Sequence, residues 1–177
     1  MESTKITVTK NSLEEIALEI KDKTLNFLSL KPRSERETNA RVTYYLKKYK
    51  WLKDFEKEAI TSDTIKDLKR NNLLDDKKFA KAFVKEKINS PKTTSKLKVE
   101  QFLKRKGVKD SVINEAMRLF TDELEEQNLQ KDAEKKLPSL KEPNIYKKKS
   151  KLISYLASRG YPYSKIYTVV DRIVDVK

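Results

Sequence analysis

The chain has 177 residues, with 41 Lys and Arg against 27 Asp and Glu, a net charge of +14 and an apolar share of only 37%. Neither cysteine nor histidine occurs, which excludes disulfides, cysteine-type zinc sites and every nucleophile–histidine arrangement. Two glycines and 38% charged residues favour helices over a strand-and-turn protein and leave no glycine-rich loop to cradle phosphate. There is no apolar run of membrane-spanning length and no signal-peptide pattern, so a cytoplasmic protein without membrane association is expected.

Residues 1–11 read as an N-terminal arm with one alternating piece, Lys5-Ile6-Thr7-Val8. Residues 12–74 read as a first three-helix repeat. Ser12 and Glu15 fit a capping box that opens a helix through Ile16, Ile20, Phe27 and Leu28, stopped by Pro32. Ser34 and Glu37 form a second box ahead of Val42, Tyr45 and Leu46. The stretch near 49–60 predicts a short additional helix with Trp51 and Phe55 packing back on the unit. Ser62 or Asp63 then caps a helix carrying Ile65 and Leu68, and Asn72 ends it because asparagine tolerates left-handed backbone.

Residues 75–121 read as a second repeat. Asp75 caps a helix with Phe79, Phe83, Val84 and Ile88; Val99, Phe102 and Leu103 run to Gly107; Asp110 caps a helix with Ile113, Met117 and Phe120. Residues 122–177 read as a third repeat. It has an acidic, weakly apolar helix over 122–137, a linker near 138–143, a helix from Tyr146 to Arg159 ending at Gly160, and a last stripe of Ile166, Val169, Val170 and Ile173. The fold class is therefore all-α, three tandem helix-turn-helix-like repeats in an elongated, curved array.

The repetition is explicit in the residues. A shift of 53 places Val99, Phe102, Leu103, Gly107, Ile113, Met117 and Phe120 on Leu152, Tyr155, Leu156, Gly160, Ile166, Val170 and Ile173. A shift of 57 places Val42, Tyr45 and Leu46 on Val99, Phe102 and Leu103, and then breaks at an insertion of about nine residues around Trp51. The same alignment makes Arg41, Lys98 and Lys151 equivalent, pairs Lys96 with Lys149, and pairs Lys106 with Arg159. Charge is also segregated: residues 76–109 carry a net +9, 110–143 a net −4 and 144–177 a net +6. For any single lysine a solvated helix face is the ordinary reading. Recurrence across repeats instead suggests a row of positive charge suited to a periodic polyanion. The Asp75-Asp76 pair reads as a helix opening rather than a magnesium site. No cofactor or metal is expected, and no enzymatic activity.

Several stretches, in order, resemble the RecX family of bacterial recombination regulators. They are Phe27-Leu28-Ser29-Leu30-Lys31-Pro32-Arg33-Ser34-Glu35-Arg36-Glu37, then Leu73-Leu74-Asp75-Asp76 with Phe79-Ala80-Lys81-Ala82-Phe83-Val84, then Leu103-Lys104-Arg105-Lys106-Gly107-Val108, and last Leu156-Ala157-Ser158-Arg159-Gly160-Tyr161. The resemblance implies three tandem three-helix repeats. It also implies binding to the RecA recombinase filament, usually restraining its growth, strand exchange and ATP hydrolysis within DNA repair and the SOS response. Asn72 stands where the family usually has glycine, and the family's longer N-terminal region is mostly missing. Arg33, Arg36, Lys104, Arg105 and Lys148 join the repeat-aligned cations as candidate contacts to DNA or filament. Single- or double-stranded DNA is the expected second partner, and a monomer is expected because nothing resembles a dimerising heptad seam. The other readings are a nucleic-acid binder independent of RecA and a helical adaptor whose charge serves solubility.

Overall fold

The computed structural model describes residues 10–174, and among these the secondary structure is helical throughout. The alternating piece at 5–8 lies outside the described residues. The helices are α1 (Lys10–Ser29), α2 (Glu35–Leu46), α3 (Asp54–Arg70), α4 (Asp76–Ile88), α5 (Lys96–Arg105), α6 (Asp110–Met117), α7 (Asp122–Lys136), α8 (Ile145–Ser158) and α9 (Tyr163–Val174), with a 3-10 turn at Leu137–Ser139. They belong to two compact units that divide within α4, between Phe79 and Ala80.

In the first unit α1, α2 and α3 enclose one apolar cluster of Ile16, Ile20, Val42, Leu46, Leu52 and Ile60. A second holds Ile65, Leu68 and Leu74 against Leu25 and Leu28. The apolar residues recur at three- and four-residue intervals, so each helix turns one stripe inward and leaves its lysines in water. Because α1 already includes Lys10, Ser12 lies inside the helix and not at its cap. The Ser34 box forms as expected: Ser34 Oγ accepts the Glu37 N–H at 3.2 Å, and Glu37 returns a carboxylate oxygen to the Ser34 N–H at 3.3 Å. Asp75 likewise caps α4, accepting the Lys77 and Lys78 N–H groups at 2.7 and 3.2 Å.

The insertion is handled differently from the sequence expectation. No additional helix forms; the extra length goes into α3, which has 17 residues where its repeat counterpart α6 has 8. Trp51 and Phe55 stay 46% and 64% exposed, while Leu52 is buried. The reason is local. Lacking a glycine at the end of α2, the chain leaves it through successive three-residue turns, Tyr49 N–H to Leu46 O and Leu52 N–H to Tyr49 O. That path delivers Leu52 to the core and leaves Trp51 edge-on to Tyr49. Ser62 and Asp63, expected as caps, are therefore mid-helix.

Three other helix ends share one geometry. Asn72 (φ 57°), Gly107 (φ 79°) and Gly160 (φ 87°) are left-handed, and each closes a paired C-terminal turn. In each, the next residue's N–H reaches back five positions: Leu73 to Leu68 O, Val108 to Leu103 O and Tyr161 to Leu156 O. After the two glycines the next residue is swung inward, and Val108 and Tyr161 are buried, whereas Leu73 after Asn72 stays 54% exposed.

In the second unit, Val84, Val99, Leu103, Val108, Ile113, Met117 and Phe120 are buried and Phe83 stacks on Phe102 at 4.0 Å. Asp110 is the first residue of α6 and makes no side-chain cap; it sits 3.2 Å from Lys104 instead. Leu129, Ala133, Leu137, Leu152, Leu156, Tyr161, Ile166, Val169, Val170 and Val174 form the cluster of α7, α8 and α9.

The close approach at Gly160 yields a measurable expectation. A Cβ built there would lie 2.8 Å from Ser95 Oγ, and Ser95 both caps α5 and donates to the Arg159 carbonyl at 2.9 Å. Gly160→Ala is expected to lose about 2 kcal/mol, combining left-handed strain with displacement of Ser95. The shift of the urea midpoint at unchanged m-value would measure it.

Candidate nucleic-acid interface

The candidate cations fall into three structural situations. In the first, the guanidinium is held by aromatic rings. Arg33 lies 4.2 Å over Phe27, its Nε buried, with Glu37 at 3.8 Å. Arg41 lies 4.6 Å over the same ring and also borders Tyr44 and Tyr45. These pairs cover Phe27 and hold both arginines in place. Lys106 similarly reaches 5.3 Å from the Phe102 ring.

In the second situation the cation is ion-paired. Lys96 meets Asp122 at 2.8 Å, Lys104 meets Asp110, Lys149 meets Asp171 at 2.9 Å and Lys151 meets Glu142 at 2.7 Å. Arg159 is the most committed. Its Nε donates to Asp132 at 3.1 Å and its terminal nitrogen to the Thr93 carbonyl at 2.9 Å. Asp132, with only 5% of its side chain exposed, also accepts from Thr93 Oγ1 at 2.5 Å and Tyr161 OH at 2.8 Å. Burial pushes the Tyr161 phenol well above its ordinary range, and the Asp132 carboxylate pushes it further.

Arg36, Lys98, Arg105 and Lys148 make up the third group. Their side chains have no ion pair or side-chain hydrogen bond among the described residues. Arg36, Lys98 and Arg105 are exposed and Lys148 is half-buried. Lys104, Arg105 and Lys106 come together at the C-terminal end of α5, where positive charge also answers the helix dipole. The repeat-aligned trio is divided, with Arg41 in the first unit and Lys98 and Lys151 in the second.

Two carboxylates do work that the sequence reading did not assign. Asp76 accepts the Glu35 N–H at 2.8 Å, satisfying the first turn of α2; burial pushes its carboxyl up while that N–H pulls it down. The buried Glu125 does the same for α5, accepting the Lys96 N–H at 3.0 Å. Glu125 and Asp122 share Lys165, at 3.0 and 2.8 Å. Lys165 and then Lys96 hold the Asp122 carboxyl down at about 2. A depressed carboxyl stabilises the fold above its ordinary pKa and loses that contribution as pH falls through the folded value. The Asp122 side-chain carboxyl resonance is therefore expected to titrate near 2, and in Lys165→Met to move back toward the usual aspartate range.

Among the described residues no group of three or more acidic side chains could hold a metal ion, and no helix is long and apolar enough to cross a membrane. The arrangement offers fixed cations and hydrogen-bond donors, a binding chemistry.

Two family models match, one described as the second three-helix domain of RecX over residues 75–117 and one as its third three-helix domain over 123–170. The chain is similar to the regulatory protein RecX of Clostridium botulinum (strain Alaska E43), 38% identical over 126 residues covering 70% of this chain and 58% of that protein. It is also similar to the regulatory protein RecX of Oceanobacillus iheyensis, 33% identical over 150 residues covering 85% and 52%. The chain thus spans little more than half the length of these relatives. In fold it is similar to the crystal structure of RecX from Lactobacillus salivarius, with a TM-score of 0.74 at 22% identity, covering 93% of this chain and 99% of that one.

Proposed function

The chain belongs to the RecX family of regulatory proteins, and on that premise we propose that it binds the RecA nucleoprotein filament and restrains its strand exchange and ATP hydrolysis without catalysing a reaction itself. The observation that carries the reading is the set of cations left without protein partners, Arg36, Lys98, Arg105 and Lys148, in a chain of net charge +14. Unpaired cations can exchange water for phosphate or carboxylate without first breaking an internal pair, which is what a rapidly sampling filament ligand requires. Binding one filament state better than another then shifts the filament toward it. The division into repeats at 12–74, 75–121 and 122–177 fits this reading, since each repeat can present its own contact to a repeating partner. The test is a titration into RecA on single-stranded DNA, following ATP hydrolysis and strand exchange. A fall in both supports the proposal, and no change in either at saturation removes it.

A second reading is a nucleic-acid binder independent of RecA. It is favoured by the stacked pair Tyr163–Tyr167, 6.1 Å apart and both exposed on α9, since bases stack on such rings. Tight retention of bare DNA or RNA at physiological salt, unaffected by RecA, would select it.

A further inference from the structure

In the first unit, α1 and α3 run side by side and leave a groove of about 710 Å³ between them. Its apolar walls are Leu13, Ala17 and Leu18 from α1 and Phe55, Ala59 and Ile60 from α3. Leu18 is 63% exposed and Phe55 64% exposed, so two large side chains stand at the rim above half-buried Leu13 and Ala17 and buried Ile60. One end is closed by the ion pair of Lys21 with Asp67 at 2.6 Å. From Leu13 to Lys21 the trough runs about 12 Å at the rise of a helix, room for roughly two turns of a docked helix.

The groove differs in charge from the rest of the chain. Glu14, Glu56, Asp63 and Asp67 line it against a single lysine, Lys21, which is already committed to Asp67. Asp63 has Lys66 at 3.6 Å, both side chains well exposed, and Glu56 accepts the Lys53 N–H at 2.7 Å; neither arrangement cancels the negative rim. An acid-rimmed apolar trough repels phosphate, so nucleic acid is the wrong occupant. Both walls are helices whose backbone groups are bonded internally, so there is no strand edge to extend. The occupant must therefore bring a satisfied backbone of its own, and a helix does so. The α3 wall belongs to the lengthened part of that helix: Phe55, Ala59 and Ile60 precede the stretch that α6 retains.

We propose that this groove docks a basic amphipathic helix of a partner protein, whose apolar side chains at i and i+4 pack on Leu18 and Phe55 and whose flanking Lys or Arg face Glu14 and Asp63. The surface is separate from the cations assigned above and does not depend on the RecA reading.

The probe is an amidated peptide of about 14 residues built from Leu, Ala and Lys with leucines on one helical face, compared with a scrambled peptide of the same composition. Titrated into the isotope-labelled full chain, the amphipathic peptide is expected to shift the amides of Leu13, Ala17, Ala59 and Ile60, and to bind at least about tenfold tighter than the scramble. Leu18→Ser with Phe55→Ser alters only exposed side chains, so the helical circular dichroism should persist while affinity falls more than about tenfold. Glu14→Lys with Asp63→Lys should reverse the preference toward a peptide with Glu in place of Lys, an inversion that a mere loss of packing would not produce. Equal binding of both peptides, or shifts confined to other helices, would overturn the proposal. So would self-association lost in the Leu18→Ser, Phe55→Ser chain, or peptide binding that appears only when residues 1–9 are deleted. Those two outcomes would assign the groove to a second copy or to the chain's own first residues.

Discussion

Replacing Asp132 with alanine is expected to cost about 3 kcal/mol of stability, the largest effect of any single substitution considered for the second unit. The carboxylate is nearly fully buried and receives the Thr93 hydroxyl, the Arg159 guanidinium and the Tyr161 phenol at once. Truncation strands the Tyr161 hydroxyl in the core and leaves a guanidinium half out of water without its counter-charge. Arg159 retains the Thr93 carbonyl and some solvent, which keeps the loss below that of a fully buried pair. Asp132→Asn keeps an acceptor oxygen but no charge and should cost roughly half as much. Tyr161→Phe, which removes one donor and leaves Asp132 two others, should cost about 1 kcal/mol. Urea unfolding followed by circular dichroism measures all three. A loss under about 1 kcal/mol for the alanine variant would mean that water replaces the network without penalty.

Asp132 also shows where sequence reasoning ran out. The helix over 122–137 reads as weakly apolar because most of the buried stripe of α7 is polar: Glu125, Asn128 and Asp132 are buried beside Leu129 and Ala133. Those polar residues keep helical spacing, so the signal was present, but periodicity scored on hydrophobicity cannot see a carboxylate in a core. Its partners lie 27 to 39 residues away, in the loop before α5 and at the end of α8. Only the tertiary fold brings them together. Glu125 and Asp76 escaped notice for the same reason, since each caps the first turn of a helix distant in sequence.

What was legible is local. Ser34 with Glu37, Asp75, Asn72, Gly107 and Gly160 each act within a few residues of themselves, and each adopts the expected geometry. The Trp51 stretch departs from its pattern: an aromatic-rich segment with helical spacing predicts burial of its largest side chains, yet Trp51 and Phe55 stay exposed. The absence of a glycine after α2 altered the turn instead and placed Leu52 inside. The aligned cations do not share one setting. Arg41 lies on aromatic rings, Lys151 is paired with Glu142, and within the trio Lys98 has no ion pair among the described residues. Alignment with the repeat therefore does not by itself mark a contact residue; what separates the four proposed contacts is the absence of an internal partner.

That distinction sets the second large expected effect. Neutralising Arg36, Lys98, Arg105 and Lys148 together, each to glutamine, is expected to weaken binding to RecA-coated single-stranded DNA by on the order of a hundredfold while leaving the unfolding midpoint nearly unchanged. Glutamine keeps much of each stem's apolar cover and removes only the charge, so a binding loss without a stability loss isolates electrostatics. If the four side chains meet phosphates, the slope of log affinity against log salt should fall by about 0.7 for each contact removed on a single strand. If they meet acidic protein surface instead, affinity should drop with a smaller change in salt slope, because there is no condensed counterion layer to release. The matched control neutralises Lys96, Lys104, Lys149 and Lys151, four cations that already have carboxylate partners. That variant loses the same four positive charges and leaves its carboxylates unpaired, and stability falls only slightly, as is usual for exposed pairs. Equal loss of binding in the two variants would show that net charge alone governs association and that unpaired cations have no special part in it. A selective loss in the first would mark those four side chains as the contact set.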